Sequence, residues 1–326
     1  MKLLMWLALV CLGISPSGAQ ESNSTCPYPN CSCDGASLVC RGLKELPTLP
    51  TPNQFTAFFF DSCDIEVLPR FPSSYSNATD LQVTSSGVSS VASDAFELLD
   101  RLVTLELKGN RLKTVSQASL HPLRNLVKLD LSYNRLTELP NELFKDLSKL
   151  REIDLGGNQV QFTENLFNCT DALTKLSCND CHLKDVPTSS LTKIRNLEHL
   201  ELNENPFQSL HDNTFQGLQQ IRNLSLDNCS LFDISRQALQ PFHSLRMLNF
   251  GHNNLKSIPL GTFNYSWNSL KKLYLESNLF TSLDENLAPW YSLEELKLWH
   301  NPWHCDCTLA WIKNISVDTF HKENVT

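Results

Sequence analysis

Three groups of residues in this chain have spacings that chemistry uses. Cys178-Asn-Asp-Cys181-His182 is C-x-x-C-H, the pattern on which a c-type haem is attached. His304-Cys305-Asp306-Cys307 gathers imidazole, thiol and carboxylate groups of the kind that ligate transition metals. Glu106, Asp130 and Asp154 recur 24 residues apart, as a stripe of carboxylates that would draw in a cation. The remaining histidines are scattered. No Ser-His-Asp or Cys-His set, phosphate loop or H-E-x-x-H is found, so catalysis, a cofactor and a bound metal are not expected.

What positions these residues is a period. Leu102-Val-Thr-Leu105-Glu-Leu107-Lys-Gly-Asn110-Arg-Leu112 recurs as Leu126-Val-Lys-Leu129-Asp-Leu131-Ser-Tyr-Asn134-Arg-Leu136. Copies follow from Leu150, Leu173, Leu197, Ile221, Leu245, Leu270 and Leu293, and looser ones begin at Phe55 and Ala78. That makes eleven units of 23 to 25 residues with the template L-x-x-L-x-L-x-x-N-x-L. The 56 leucines are therefore a ladder rather than a general apolar excess.

Each template position has a physical reading. Positions 3 to 7 form a short strand, with positions 4 and 6 inward and 3, 5 and 7 on the opposite face. Position 9 is Asn at 110, 134, 158, 205, 253, 278 and 301, where a side-chain amide can satisfy backbone groups at the bend. The second half of each unit brings an apolar plug, such as Phe96, Phe144, Phe167, Phe215 or Phe263. No unit buries these alone, so successive units must stack. The strand side is narrower than the plug side. The expected fold is an α/β solenoid: a horseshoe with a concave parallel sheet inside.

The repeat reassigns the first group. Cys178 falls on inward position 6 and Cys181 on position 9, so both read as small core residues. Cys63 and Cys229 also take position 9. Cys181 and Cys229 are two units apart, roughly 10 Å at strand spacing, too far for a disulfide. Cys63 and Cys229 are therefore expected to be buried free thiols. The pairing of Cys169, Cys178 and Cys181 stays open.

The array is flanked by cysteines: Cys26, Cys31, Cys33 and Cys40 before it, and Asn301-Pro302-Trp303-His304-Cys305-Asp306-Cys307 after it. With the repeat, these resemble the caps of extracellular leucine-rich repeat proteins, a group that includes Toll-like receptors, Slit, chaoptin and the small leucine-rich proteoglycans. The resemblance implies pairing of Cys26 with Cys33 and Cys31 with Cys40, and a C-terminal cap begun by Cys305 and Cys307. Such caps usually contain two further cysteines, absent here, so the C-terminal cap is partial. It also implies roles in recognition, adhesion or innate defence.

The ends fix the expected compartment. Lys2, the apolar run Leu3 to Leu12 and the small residues before Gln20 make 1–19 a secretory signal peptide. Residues 20–54 are then a linker and N-terminal cap, 55–300 the eleven repeats, and 301–326 a truncated C-terminal cap. Nine Asn-X-Ser/Thr sequons fit that route: Asn23, Asn30, Asn77, Asn168, Asn223, Asn228, Asn264, Asn314 and Asn324. No stretch of eighteen apolar residues follows, so no membrane span is expected. The formal charge is −8, which argues against a nucleic acid partner.

The concave face carries the functional expectation. Glu106, Asp130, Asp154 and Glu201 lie at position 5, with Glu152 at position 3, and suit a basic partner. Like charges on adjacent strands should repel there. Towards the C-terminus, Tyr274, Trp299 and His300 project from the same side, and aromatic residues with mixed charge are typical of binding hot spots. The alternative for Trp299 is packing against the C-terminal cap with Trp303. A secreted, non-catalytic module binding an extracellular protein or glycan is the first reading. The alternatives are a stabilising or carrier subunit of a secreted enzyme or factor, and a truncated receptor ectodomain. The oligomeric state is not legible.

Overall fold

The computed structural model describes residues 26–304 and 307–315. Residues 1–19, expected to be a signal peptide, and Asn23, Cys305 and Asn324 lie outside the described residues. Thirteen strands form one sheet in chain order. The first two, Cys31–Asp34 and Ser37–Arg41, are antiparallel, and the second then pairs in parallel with Ala57–Asp61. From there every neighbour is parallel, through Asp80–Thr84 and nine three-residue strands from Thr104–Glu106 to Glu295–Lys297.

The register explains the leucine ladder. Leu105 lies beside Leu129, and Leu129 beside Ile153. The position-4 residue of every repeat strand, from Phe58 to Leu296, is buried. The plugs are buried too, Phe96, Phe167 and Phe263 completely. Outside the sheet the chain is mostly turns, with two four-residue α-helices, Gln117–Leu120 and Thr188–Leu191, and short 3-10 turns.

Position 9 closes each bend. In the buried Asn158, Oδ1 accepts from the Leu136 N–H (3.0 Å), and Nδ2 donates to the carbonyls of Leu131 (3.0 Å) and Leu155 (2.8 Å). Where a thiol replaces the amide, Cys229 Sγ retains one donation, to the Leu202 carbonyl (3.2 Å). Ser86 takes the same place in the second unit, its hydroxyl accepting from the Cys63 N–H.

Position 8 follows a rule that the sequence template does not contain. In all eleven units it is left-handed, with φ between 48° at Ser85 and 71° at Gly109. Nine of these residues are not glycine, including Tyr133, Asn228, His252 and His300. Left-handed geometry disfavours residues with a Cβ. It is repaid here because it turns each N–H onto the next unit: Tyr133 N–H reaches the Gly156 carbonyl at 2.7 Å, and His252 N–H that of Glu276 at 2.9 Å.

Both ends are covered. Cys26 is bonded to Cys33, and Cys31 to Cys40 across the antiparallel pair. The Tyr75 hydroxyl donates to the Pro47 carbonyl (2.8 Å), and burial raises its pKa. At the far end a 3-10 turn, Cys307–Asn314, lays Trp311 against Trp290, 5.0 Å between centroids. Trp303 stacks on Phe280, leaving Trp299 on the concave side.

The core cysteines depart from the sequence reading in one respect. Cys178 and Cys181 are both buried, but they are bonded to each other. They are therefore a buried disulfide rather than two small core residues, and neither sulfur is available to a haem. Cys63 and Cys229 are free and buried, while Cys169 is free and exposed.

Candidate binding face

The middle of the concave face differs from an open acidic stripe. Asp130 is only 7% exposed. Its Oδ1 accepts from both the N–H and the hydroxyl of Ser132, at 2.8 and 2.6 Å. Asp154 Oδ1 accepts from the Gly156 N–H (2.9 Å). In both cases the carboxylate ends its own strand by hydrogen-bonding the backbone two residues on, a common use of Asp. Burial pushes the Asp154 carboxyl up, and the nearby Asp130 and Glu201 add to this.

The glutamates of the stripe have cations beside them. Lys128 Nζ lies 2.6 Å from Glu106 Oε1, and Lys175 Nζ 3.4 Å from Glu201 Oε1. The Lys128 ammonium pKa is raised: partial burial opposes its charge, but Glu106 outweighs that. Lysines at position 3 thus relieve the expected repulsion at Glu106 and Glu201, while at Asp154 it persists. Glu152 is the exposed acid of the group.

The C-terminal units present a denser arrangement. Lys297 Nζ lies 4.1 Å from the Tyr274 ring centroid, 5.7 Å from that of Trp299 and 3.8 Å from Glu276 Oε1. Lys272 pairs with Glu295 at 2.8 Å, and the Tyr274 hydroxyl also bonds Glu295. Asp227 Oδ1 lies 2.9 Å from His252 Nδ1. Tyr274 and Trp299 are half-buried, and His300 is exposed at the left-handed position that follows Trp299. Tyr274 and Trp299 are thus brought together through Lys297. The acids from Glu106 to Asp154 form a separate group several strands away.

Sequence reasoning passed over Lys297 and Glu276 as partners in this cluster. Alternation places both residues on the concave face. That Glu276 is nevertheless 5% exposed depends on its neighbours in adjacent units, including the bare backbone of Gly251. No pattern within one repeat signals that.

Two sequons flank the cluster. Asn223 Nδ2 is hydrogen-bonded to His199 Nδ1 (2.9 Å) on the strand itself, and Asn228 is exposed at the turn. Asn30, Asn77, Asn168 and Asn264 are exposed elsewhere.

A separate open groove of about 640 Å³ holds Ser209, His211, Asp212 and Ser235. Ser209 Oγ lies 3.2 Å from His211 Nε2, but the Asp212 carboxylate accepts from Ser235 rather than from His211. The residue types of a hydrolase triad are present without its geometry. Among the described residues no group of three or more His, Cys, Asp or Glu is placed to hold a metal ion, and no helix is long and apolar enough to cross a membrane.

The family model described as leucine rich repeat matches residues 76–136, 124–183 and 171–231. The chain is a leucine-rich repeat protein. No curated protein sequence matches it. Among solved structures, this leucine-rich repeat chain is similar to the mouse RP105/MD-1 complex, with 22% identity and a TM-score of 0.73 over 86% of this chain and 49% of that one. It is also similar to the Drosophila Toll–Spatzle complex, with 20% identity and a TM-score of 0.71 over 86% and 38%. The chain thus spans half or less of the length of these solved chains.

Proposed function

We propose that this leucine-rich repeat chain is a secreted, glycosylated, non-catalytic recognition module that captures a protein partner on the C-terminal part of its concave face. The carrying observation is the Tyr274–Lys297–Trp299 cluster, an aromatic and charged surface on a rigid parallel sheet. Such surfaces concentrate binding energy in a few anchors. The middle acids are a weaker candidate, because strand ends and lysines already engage most of them. The signal segment and the sequons support an extracellular setting. The two similar structures, each solved as a complex with a protein partner, support a protein over a glycan ligand. A sugar on Asn228 would confine the partner to the units after it.

The test is capture by the immobilised protein from extracellular fluid, compared with Trp299→Ala and with charge reversal at Glu152. Loss of capture in Trp299→Ala with retention in the Glu152 variant is expected. Retention in both would overturn the concave-face reading. A second reading, part of a longer receptor ectodomain, is favoured by the 49% and 38% coverage of the solved chains. Transcript sequence encoding an apolar span beyond Thr326 would establish it.

A further inference from the structure

Gly251 marks an unusual point on the concave face. A Cβ built there would lie 2.7 Å from Asp227 Oδ1, 3.1 Å from Asn249 Oδ1 and 3.1 Å from the Glu276 carboxyl carbon. Three acceptor-bearing side chains from successive units close on this one glycine. Asp227 and Asn249 have assigned partners: Asp227 faces His252, and Asn249 Oδ1 accepts from the Gly251 N–H (2.8 Å). Glu276 does not complete its set. It is buried to 5% exposure, and its Oε2 has no hydrogen-bond partner. Its other oxygen is 3.8 Å from Lys297, beyond hydrogen-bond length.

A buried carboxylate oxygen without a donor is costly and rare in a settled structure. Burial pushes the Glu276 carboxyl up and Asp227 adds to this, while its own backbone N–H and then the positive charge of Lys297 oppose it only in part. Lys297 also shows which chemistry the place accepts. Its ammonium is held by the Tyr274 and Trp299 rings, in the manner of a cation against aromatic faces. It is a flexible side chain, about one-third exposed. Lys272 is engaged by Glu295, so Lys297 is the ammonium that faces Glu276, while Asp227, beside Glu276, faces His252.

We propose that Glu276, Asp227 and Asn249, with Tyr274 and Trp299, form a seat for an arginine side chain of the protein partner, and that Lys297 occupies this seat in the free protein. A guanidinium supplies what the seat lacks. Its planar fork can donate to the unpartnered oxygen of Glu276 and to Asp227 while its face lies on an indole or phenol ring. The ammonium of Lys297 swings out on its stem as the guanidinium enters. A divalent cation is the poorer occupant, since the described residues include no metal-holding group. The proposal rests on the concave-face reading of the preceding section and names the partner chemistry of that site.

The experiment uses the full chain and the peptide acetyl-Gly-Arg-Gly-amide, followed by tryptophan fluorescence, with Trp299→Phe locating the signal. The citrulline and lysine peptides are the neutral and ammonium controls. A saturable, salt-sensitive response to the arginine peptide is expected, at least tenfold weaker with the citrulline peptide. Glu276→Gln should weaken it at least tenfold. Lys297→Met should strengthen it severalfold, because an internal competitor is gone, whereas a merely structural Lys297–Glu276 pair predicts weakening or no change. An equal response to citrulline, or no gain in Lys297→Met, would overturn the arginine seat. Equal binding of the lysine peptide would overturn the guanidinium assignment. If Glu276→Gln does not fold, the citrulline control and Lys297→Met decide. If the peptide result is negative while Trp299→Ala still abolishes partner capture, the seat fails and the concave-face reading stands. If capture survives both Trp299→Ala and the Glu152 charge reversal, the broader reading fails whatever the peptide does.

Discussion

The Lys297 ammonium lies over the ring of Tyr274, 4.1 Å from its centroid, and 5.7 Å from that of Trp299. These residues come from adjacent strands in register, Tyr274 beside Lys297, so the sheet fixes the spacing before any ligand arrives. Preorganised aromatic anchors of this kind lose little on binding. Tyr274→Ala and Trp299→Ala should each weaken partner affinity by about 30-fold, the roughly 2 kcal/mol typical of a hot spot. Both rings are half-exposed, so the melting temperature should fall only slightly. Affinity by surface plasmon resonance and melting by calorimetry check the two halves. A large loss of stability with unchanged affinity would make the rings structural.

Asp154 offers a test of the middle stripe. Its carboxyl is pushed up by burial first and by Asp130 and Glu201 next. A carboxyl with a raised folded-state pKa ionises in the unfolded chain at lower pH than in the folded one. Its charge therefore subtracts stability as pH rises through the carboxylate range. Asp154→Asn retains an oxygen for the Gly156 N–H and removes the charge. It should stabilise the protein at pH 7 by up to about 1 kcal/mol, the scale of cross-strand charge pairs. The gain should vanish below about pH 3, where both states are protonated. Denaturant titrations at the two pH values measure it.

Gly157 and Tyr133 should be coupled. Gly157 is left-handed at φ 65°, and a Cβ there would lie 2.7 Å from Tyr133 Cδ1. Gly157→Ala therefore meets backbone strain and a ring together, and should cost about 2 to 3 kcal/mol. In a Tyr133→Ala background only the strain remains, about 1 to 2 kcal/mol. A double-mutant cycle reads the difference. Additive effects would mean that the ring moves aside without cost.

These residues also show how far the sequence is legible. The leucine and plug positions of each unit are readable because burial follows a period imposed on every repeat. Asn158 is readable for the same reason, since one amide satisfies several backbone groups at the same bend each time. The left-handed residue at position 8 is not readable, because nine residues of six kinds fill the same geometry there without glycine. Asp130 looks like a surface charge in sequence, but it caps its own strand, which only local hydrogen bonding reveals. Glu276 is buried by neighbours from adjacent units. Contacts between units depend on side chains that the repeat does not constrain, and the candidate site consists of such contacts. Cys178 and Cys181 belong to the same class: their template positions predict burial, but not the bond between them.

Cys229 gives a prediction at the alkaline end. It is completely buried, its thiol donates to the Leu202 carbonyl (3.2 Å), and burial pushes its pKa up to about 12. In the unfolded chain the thiol ionises near its ordinary value of about 8.5. The folded state holds the proton over the interval between, so the unfolded state gains from ionisation first, and stability is lost as pH rises from about 9 towards 12. Cys229→Ser keeps a small donor and removes most of that titration. The variant should therefore show a shallower fall in unfolding free energy between pH 8 and 10.5 than the parent chain. The buried thiol should also resist alkylation in the native protein at pH 8, while the exposed Cys169 reacts at once. Mass spectrometry after timed maleimide treatment follows both sites. Equal labelling of Cys229 and Cys169 in the folded chain would show that the core between the seventh and ninth units opens far more readily than its packing implies.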